Sequence, residues 1–170
     1  NSLSMPVYHT AAYEFDNADD MADAFCGRTD APDYSRVMNP TVTFFENKVK
    51  ELTGAAEVIA LNSGMAAISN TLFSIAAAGK NIVTSRHLFG NTYSFIAGTL
   101  SRFGVEPRLC DLTDIGAVEK VVDSNTCCIY VEIITNPQME VADLQALSRI
   151  VHERGIPLIV DTTLIPFTEF

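Results

Sequence analysis

Short apolar runs and helical apolar periods take turns along the second half of this chain, and that alternation restricts the fold more than any other feature. Residues 82–83, 105–109, 127–131 and 156–160 read as strands, almost wholly apolar except where Glu106 and Arg108 interrupt the second. Helical segments separate them: residues 91–103, ended by Gly104, and residues 114–122, with Ile115, Val118 and Val121 on one side. A third covers residues 143–154, with Leu144, Leu147 and Ile150 as its stripe and Gly155 as its stop. Strands apolar on both faces, with helices between them, predict an α/β fold with a mostly parallel, doubly wound sheet. Ligands of such sheets sit beyond the carboxyl ends of the strands.

One stretch ahead of this region has the same grammar. Residues 58–61 form an apolar run with the length of a buried strand. Asn62-Ser63-Gly64 interrupts it, and Met65, Ile68, Leu72 and Ile75 then recur at helical spacing. The reading is strand, polar turn, helix, with Asn62 or Ser63 as cap and Gly79 as the end. Gly64 lets another group approach the backbone closely. The free N–H groups and positive dipole end of such a helix start suit a phosphate; a small-residue turn that merely packs the helix is the plainer alternative.

Composition removes several functional classes. With 170 residues and 48% hydrophobic content the chain can build one domain with a real core. Polar or charged residues interrupt every window long enough to span a membrane. Asn1-Ser2-Leu3-Ser4 lacks the basic and apolar regions of a signal peptide, so a cytoplasmic protein is expected. A net charge of −10 with no basic cluster argues against nucleic acid as a partner. Cys26, Cys110, Cys127 and Cys128 have no C-x-x-C spacing, and His9, His87 and His152 are scattered, so no metal site is expected and the thiols read as reduced. Adjacent Cys127 and Cys128 are expected on opposite faces of a strand.

The first 39 residues differ from the rest. They show no sustained period and read as an extended arm with aromatic anchors at Tyr8, Tyr13 and Phe15 and a short helix at residues 19–25. Tyr34-Ser35-Arg36 reads as an extended segment with a phenol and a guanidinium on one face. Arg36 is a surface ion-pair residue by default, and also the better residue for a forked grip on phosphate. Asn39-Pro40 opens a helix with cap and N1 proline, Phe45, Val49 and Leu52 form its stripe, and Gly54 ends it. The expected division is an arm, 1–39, and an α/β domain, 40–170.

The expected strand ends present Ser63-Gly64-Met65, then His87-Leu88-Phe89-Gly90-Asn91-Thr92, then Glu132 with Asn136-Pro137, and last Asp161-Thr162-Thr163. Each has a plain reading: Phe89 as core, Asn136 as a turn residue, Glu132 as a solvated charge, Asp161 as a cap. Together they offer an anion seat, a flat ring, an amide and a carboxylate on one edge, which a planar, phosphorylated, nitrogen-containing cofactor would use. Neither G-x-G-x-x-G nor G-x-x-x-x-G-K-[ST] occurs.

These residues carry a resemblance. Pro6-Val7-Tyr8, Tyr34-Ser35-Arg36, Asn39-Pro40-Thr41, Ser63-Gly64-Met65-Ala66-Ala67, Glu132 with Asn136-Pro137, and Asp161-x-Thr163 occur in one order over nearly the whole chain. The chain thereby resembles the Cys/Met-metabolism family of pyridoxal 5'-phosphate (PLP) enzymes, cystathionine γ-synthase-like, with the aminotransferase-like (fold type I) large domain. Within it, His87-Leu88-Phe89-Gly90-Asn91-Thr92-Tyr93 looks most like the O-acetylhomoserine sulfhydrylase branch.

The resemblance implies roles. Ser63, Gly64 and Met65 would hold the cofactor phosphate, and Phe89 would stack on the pyridine ring where most relatives carry tyrosine. A phenyl ring can still stack, without a phenol's acid/base help. Asn136 would lie near the cofactor's 3'-oxygen, Asp161 would face the pyridine nitrogen, and Thr163 would lie beside the ring. An anion at contact distance favours the protonated nitrogen by ~1–3 pKa units. Asp161 and Phe89 would thus be the catalytic pair on this chain, while Tyr34 and Arg36 would reach the phosphate of a neighbouring subunit in a homodimer or homotetramer. Relatives carry asparagine where this chain has Thr162. The family's Schiff-base lysine lies downstream of the Asp161 strand, and none of Lys48, Lys50, Lys80 or Lys120 follows a strand end. The chain therefore looks like an amino-terminal part ending before that lysine. The expected activity is replacement of the γ-acyloxy group of an O-acylhomoserine by a sulfur nucleophile, in methionine and cysteine metabolism. The alternatives are a methionine or cystathionine γ-lyase of the same family, and a non-catalytic doubly wound nucleotide-binding or oligomerisation module.

Overall fold

A computed structural model of the chain describes residues 3–166. Its contacts gather into two compact units, Asn1–Ala60 and Leu61–Phe170.

In the first unit, α1 (Ala18–Phe25) starts at Asn17, whose side chain accepts the Asp20 N–H at 2.9 Å. Asp19 and Asp20 in its first turn complement the positive helix end. Next, α2 (Pro40–Thr53) has its expected cap, Asn39 accepting the Thr41 N–H at 2.9 Å, and ends on Gly54 at φ 66°. The same cap ties α2 to the preceding segment. Asn39 Nδ2 donates to the Tyr8 carbonyl at 3.1 Å, and the Tyr8 N–H donates to Thr41 Oγ1 at 2.9 Å. Its apolar stripe stays open: Phe45 and Leu52 are exposed.

Two expectations fail here. Tyr34-Ser35-Arg36 is not extended. Tyr34 makes an antiparallel bridge with Ala12, and the chain then turns, the Tyr34 carbonyl accepting from Val37 and Met38 N–H. The turn folds the Arg36 guanidinium over the Tyr34 ring, 5.2 Å from its centroid. Residues 58–61 are not a strand either. The Ala60 N–H goes to Glu46 Oε1 at 2.7 Å, so a side chain replaces the ladder partner, and Ile59 is 78% exposed.

The second unit carries the predicted alternation. Ser63 caps α3 (Gly64–Ile75), its Oγ accepting the Ala66 N–H at 3.1 Å. The helix stops at Ala76 rather than at Gly79. Then follow β1 (Asn81–Ser85), α4 (Gly90–Tyr93), which continues as a π-helix over Ser94–Leu100, and β2 (Glu106–Cys110). After these come α5 (Ile115–Val121), β3 (Thr126–Glu132), α6 (Leu144–Arg154) and β4 (Leu158–Asp161). The expected single helix over residues 91–103 thus starts as α and widens to π.

The four strands among the described residues are parallel, in the order β2-β1-β3-β4. The strand period of two sorts their side chains into two cores. Val83, Ile129 and Val131 pack with Leu147 and Ile150 of α6 and Val118 of α5. Ile82, Cys128 and Tyr130 pack on the other face with Leu72 of α3 and with Ile96 and Leu100. Helices therefore cover both faces, as the apolar strands require. Cys127 breaks the period. Asn81 pairs with Thr126 and Ile82 with Cys128, so Cys127 is an extra residue in a bulge. It packs against the same core as Cys128, not on the opposite face.

Beyond β1 the chain winds to β2 on one side, then crosses back to place β3 on the other. The edge where β1 and β3 diverge is the switch point at which ligands of open α/β sheets bind.

Candidate active site

A cavity of about 240 Å³ opens at that edge. Gly64, Met65, Phe89, Asn136, Asp161 and Thr163 all line it, so six of the sequence-derived site residues meet in one place. Ser63 serves the site from behind, holding the first turn of α3. Tyr34 and Arg36 belong to the first unit, and the lining comes from the second alone. The lysines lie elsewhere: Lys48 and Lys50 on α2, Lys120 on α5, and Lys80 just before β1.

Two parts of the lining have opposite character. One is the start of α3, where the first amides of a helix have no intrahelical acceptor. Ser63 takes that of Ala66, which leaves the Gly64 and Met65 N–H groups at the positive dipole end. A Cβ built on Gly64 meets nothing within 4 Å, so any side chain there would fill only the room a ligand needs. The other is Asp161, which closes β4. Its Oδ1 accepts the Thr163 N–H at 2.9 Å and the Thr163 hydroxyl, and its Oδ2 accepts the Tyr130 hydroxyl at 3.0 Å. Phe89, 49% exposed and hence not core, lines the same cavity with Asn136.

Glu132 is not the solvated charge that its sequence position suggests. It is only 6% exposed, lies beside Asp161 in the strand register, and accepts the Phe89 N–H at 2.7 Å. The Asn136 N–H also donates to it. Burial raises its carboxyl above the usual glutamate range, and the negative Asp161 adds to the rise, against the lowering effect of these two amides. One buried carboxylate thus clips together the loops that carry Phe89 and Asn136.

Sequence reasoning gave no role to Thr92, Ile134 or Leu164 of the lining, nor to Tyr130, which lines the adjoining hollow. Tyr130 left one signal: it is the only residue of β3 between Cys128 and Glu132 with a polar tip. Among the described residues, no group of three or more His, Cys, Asp or Glu is placed to hold a metal. No helix among them is long and apolar enough to cross a membrane.

Amide donors, a carboxylate and an aromatic ring in one cavity fit a flat ligand with an anionic group and a protonated nitrogen. PLP has that form. Gly64 and Met65 would receive its phosphate, Phe89 its ring face, and Asp161 its pyridine nitrogen.

Comparison with known proteins points to the same cofactor. Residues 1–167 match the Cys/Met metabolism PLP-dependent enzyme family. The chain is 39% identical to a sulfhydrylase of Fusarium oxysporum f. sp. lycopersici over 96% of its own length and 38% of that protein's. It is 38% identical to the L-methionine gamma-lyase of Fusobacterium nucleatum subsp. nucleatum, covering 95% of this chain and 41% of the lyase. A Campylobacter jejuni subsp. jejuni protein described as an O-acetylhomoserine (thiol)-lyase, whose structure holds a pyridoxyl-lysine monophosphate, superimposes with a TM-score of 0.87. Its identity is 36%, over 94% of this chain and 39% of that one. The chain thus spans about two fifths of the length of these relatives. All three are named or described as enzymes. Because the match runs through both units rather than through one motif, the chain belongs to the Cys/Met metabolism family of PLP-dependent enzymes.

Proposed function

We propose that this chain supplies the cofactor-holding part of a cytoplasmic transsulfuration enzyme that replaces the γ-acyloxy group of an O-acylhomoserine with a sulfur nucleophile. The observation that carries the reading is the cavity at the β1/β3 edge, with an anion seat on α3 and a carboxylate on β4. Bound PLP would supply an electron sink for charge developing on the substrate's α-carbon.

In this reading Ser63 keeps the first turn of α3 closed, so the Gly64 and Met65 amides stay aimed at the phosphate. Asp161 holds a proton on the ring nitrogen by offering a fixed negative charge. Phe89 orients the ring by stacking and takes no proton, since a phenyl ring has none to exchange. Asn136 donates to the 3'-oxygen, and Thr163 both braces Asp161 and flanks the ring. Residues 1–39 act as an arm that packs on a neighbouring subunit, and residues 40–170 form the first part of the PLP-binding domain, ahead of the lysine that bonds the cofactor. Tyr34 and Arg36 then serve the phosphate held by that neighbour, in a homodimer or homotetramer. The stacking of Arg36 on Tyr34, and the open apolar stripe of α2, the helix that follows the arm, support a region built to meet another surface.

The γ-lyase reading keeps standing beside this one, because the lyase relative is nearly as similar as the sulfhydrylase. The test is product analysis on the full-length protein with PLP and O-acetyl-L-homoserine, with and without sulfide. Homocysteine formed only with sulfide supports the proposal. Keto-acid release from methionine or cystathionine, with no sulfide-dependent product, favours the lyase.

A further inference from the structure

We propose that Tyr130 is a positioning residue of the site, its buried hydroxyl fixing which way the Asp161 carboxylate faces. The proposal rests on the reading that Asp161 faces the cofactor's ring nitrogen.

Strand register brings the two groups together. Tyr130 pairs with Ile159 across β3 and β4, and Asp161 lies two residues on, on the same face of the sheet. Such a diagonal neighbour is within reach of an aromatic side chain. The Tyr130 ring is fixed in the core against Leu72, Ile82 and Ile96, and the residue is 1% exposed. Packing alone would be served by phenylalanine. A buried hydroxyl costs free energy unless it is hydrogen-bonded, and this one donates to Asp161 Oδ2 at 3.0 Å.

The carboxylate's remaining valence then becomes countable. An ionised carboxylate offers about four acceptor positions. Thr163 fills those of Oδ1 with its N–H and hydroxyl, and Tyr130 fills one of Oδ2. What remains free is the second position of Oδ2, and the Tyr130 bond sets its direction. Burial first, and then the charge of Asp161, raise the phenol well above its ordinary pKa, so it stays a neutral donor.

The test uses the full-length protein with PLP. The visible absorption of the bound cofactor is titrated with pH, and the cofactor dissociation constant, kcat and KM are measured. Three forms are compared with wild type: Tyr130→Phe, 3-fluorotyrosine placed at position 130, and Asp161→Asn. Tyr130→Phe keeps the packing and removes one donor, whereas fluorination makes the same donor stronger. The expected result is that these two displace the absorption midpoint in opposite directions, with kcat about tenfold lower in Tyr130→Phe and KM within twofold. A merely structural Tyr130 would not give opposite signs. If Asp161→Asn alters the spectrum while both Tyr130 forms match wild type, or both shift it the same way, the proposal is overturned. If Asp161→Asn itself leaves spectrum and kcat unchanged, the underlying reading of Asp161 fails instead.

Discussion

Glu132 is the most informative group to remove, because two loops of the site hang on its carboxylate. Glu132→Ala takes the acceptor from the Phe89 N–H, now held at 2.7 Å, and from the Asn136 N–H. A buried donor left without a partner costs about 1–3 kcal/mol. Phe89 and Asn136 are themselves exposed, so water can reach part of the gap, and the expected loss falls at about 1–2 kcal/mol for opening the two loops. That corresponds to local opening roughly 5- to 30-fold more frequent. Hydrogen exchange followed by mass spectrometry, on peptides covering residues 86–92 and 133–140 of the full-length protein, reads this directly. Glu132→Gln keeps an acceptor oxygen and should protect both peptides better than Glu132→Ala does. The charge itself has a separate signature. The folded-state pKa of Glu132 is raised, so the folded protein binds this proton more tightly than the unfolded chain. Stability from this group therefore falls as pH rises from the ordinary glutamate value of 4.5 through the raised one, and stays lower above it. Glu132→Gln should lack that fall. Unchanged exchange in Glu132→Ala would refute the clip.

Three further outcomes are expected in the full-length enzyme. Asp161→Ala should lower kcat far more than it changes KM, because the charge acts on the reacting system rather than on substrate binding; an unchanged kcat would remove Asp161 from its role. Gly64→Val should leave the thermal unfolding of the apoprotein nearly unchanged, since the added Cβ meets no protein atom, yet raise the PLP dissociation constant tenfold or more; equal affinity would move the phosphate elsewhere. Arg36→Ala and Asp161→Ala subunits, each inactive alone, should on mixing return up to roughly a quarter of wild-type activity in random symmetric dimers, one site carrying both lesions and the other neither. Subunit exchange seen by mass without returning activity would place Arg36 in its own chain's site.

The parts of the fold that were legible in the sequence are those fixed by local chemistry. Asn39 and Pro40 start a helix and Gly54 and Gly155 end one because caps and left-handed turns are decided within a few residues. The apolar strands announced a covered parallel sheet for the same reason. Residues 58–61 misled because an apolar run does not say whether a ladder partner exists, and here Glu46 takes the Ala60 amide instead. The bulge at Cys127 and the Tyr130–Asp161 bond both depend on which residue stands opposite on the next strand, which no window along one strand contains. Ser63-Gly64-Met65 could be read from spacing as an anion seat, whereas Asn136 and Asp161 gained roles only through the family resemblance. Glu132 was visible but undervalued, because its burial comes from loops that arrive from two other parts of the chain.

The order β2-β1-β3-β4 also dictates when the site can exist. Every pair in this sheet joins strands separated by a helical crossover, so no pairing is local and the sheet must wait for distant segments to meet. Chains emerge from the ribosome with the amino end first. The α3 amides and the Phe89 loop are therefore synthesised well before β4, the strand that brings Asp161 and captures the Tyr130 hydroxyl through its pairing with β3. Until β4 docks, Tyr130 is a buried phenol without its acceptor and the strand edge of β3 is unpaired. On the proposed roles, a nascent chain offers its phosphate seat before it offers a partner for the ring nitrogen.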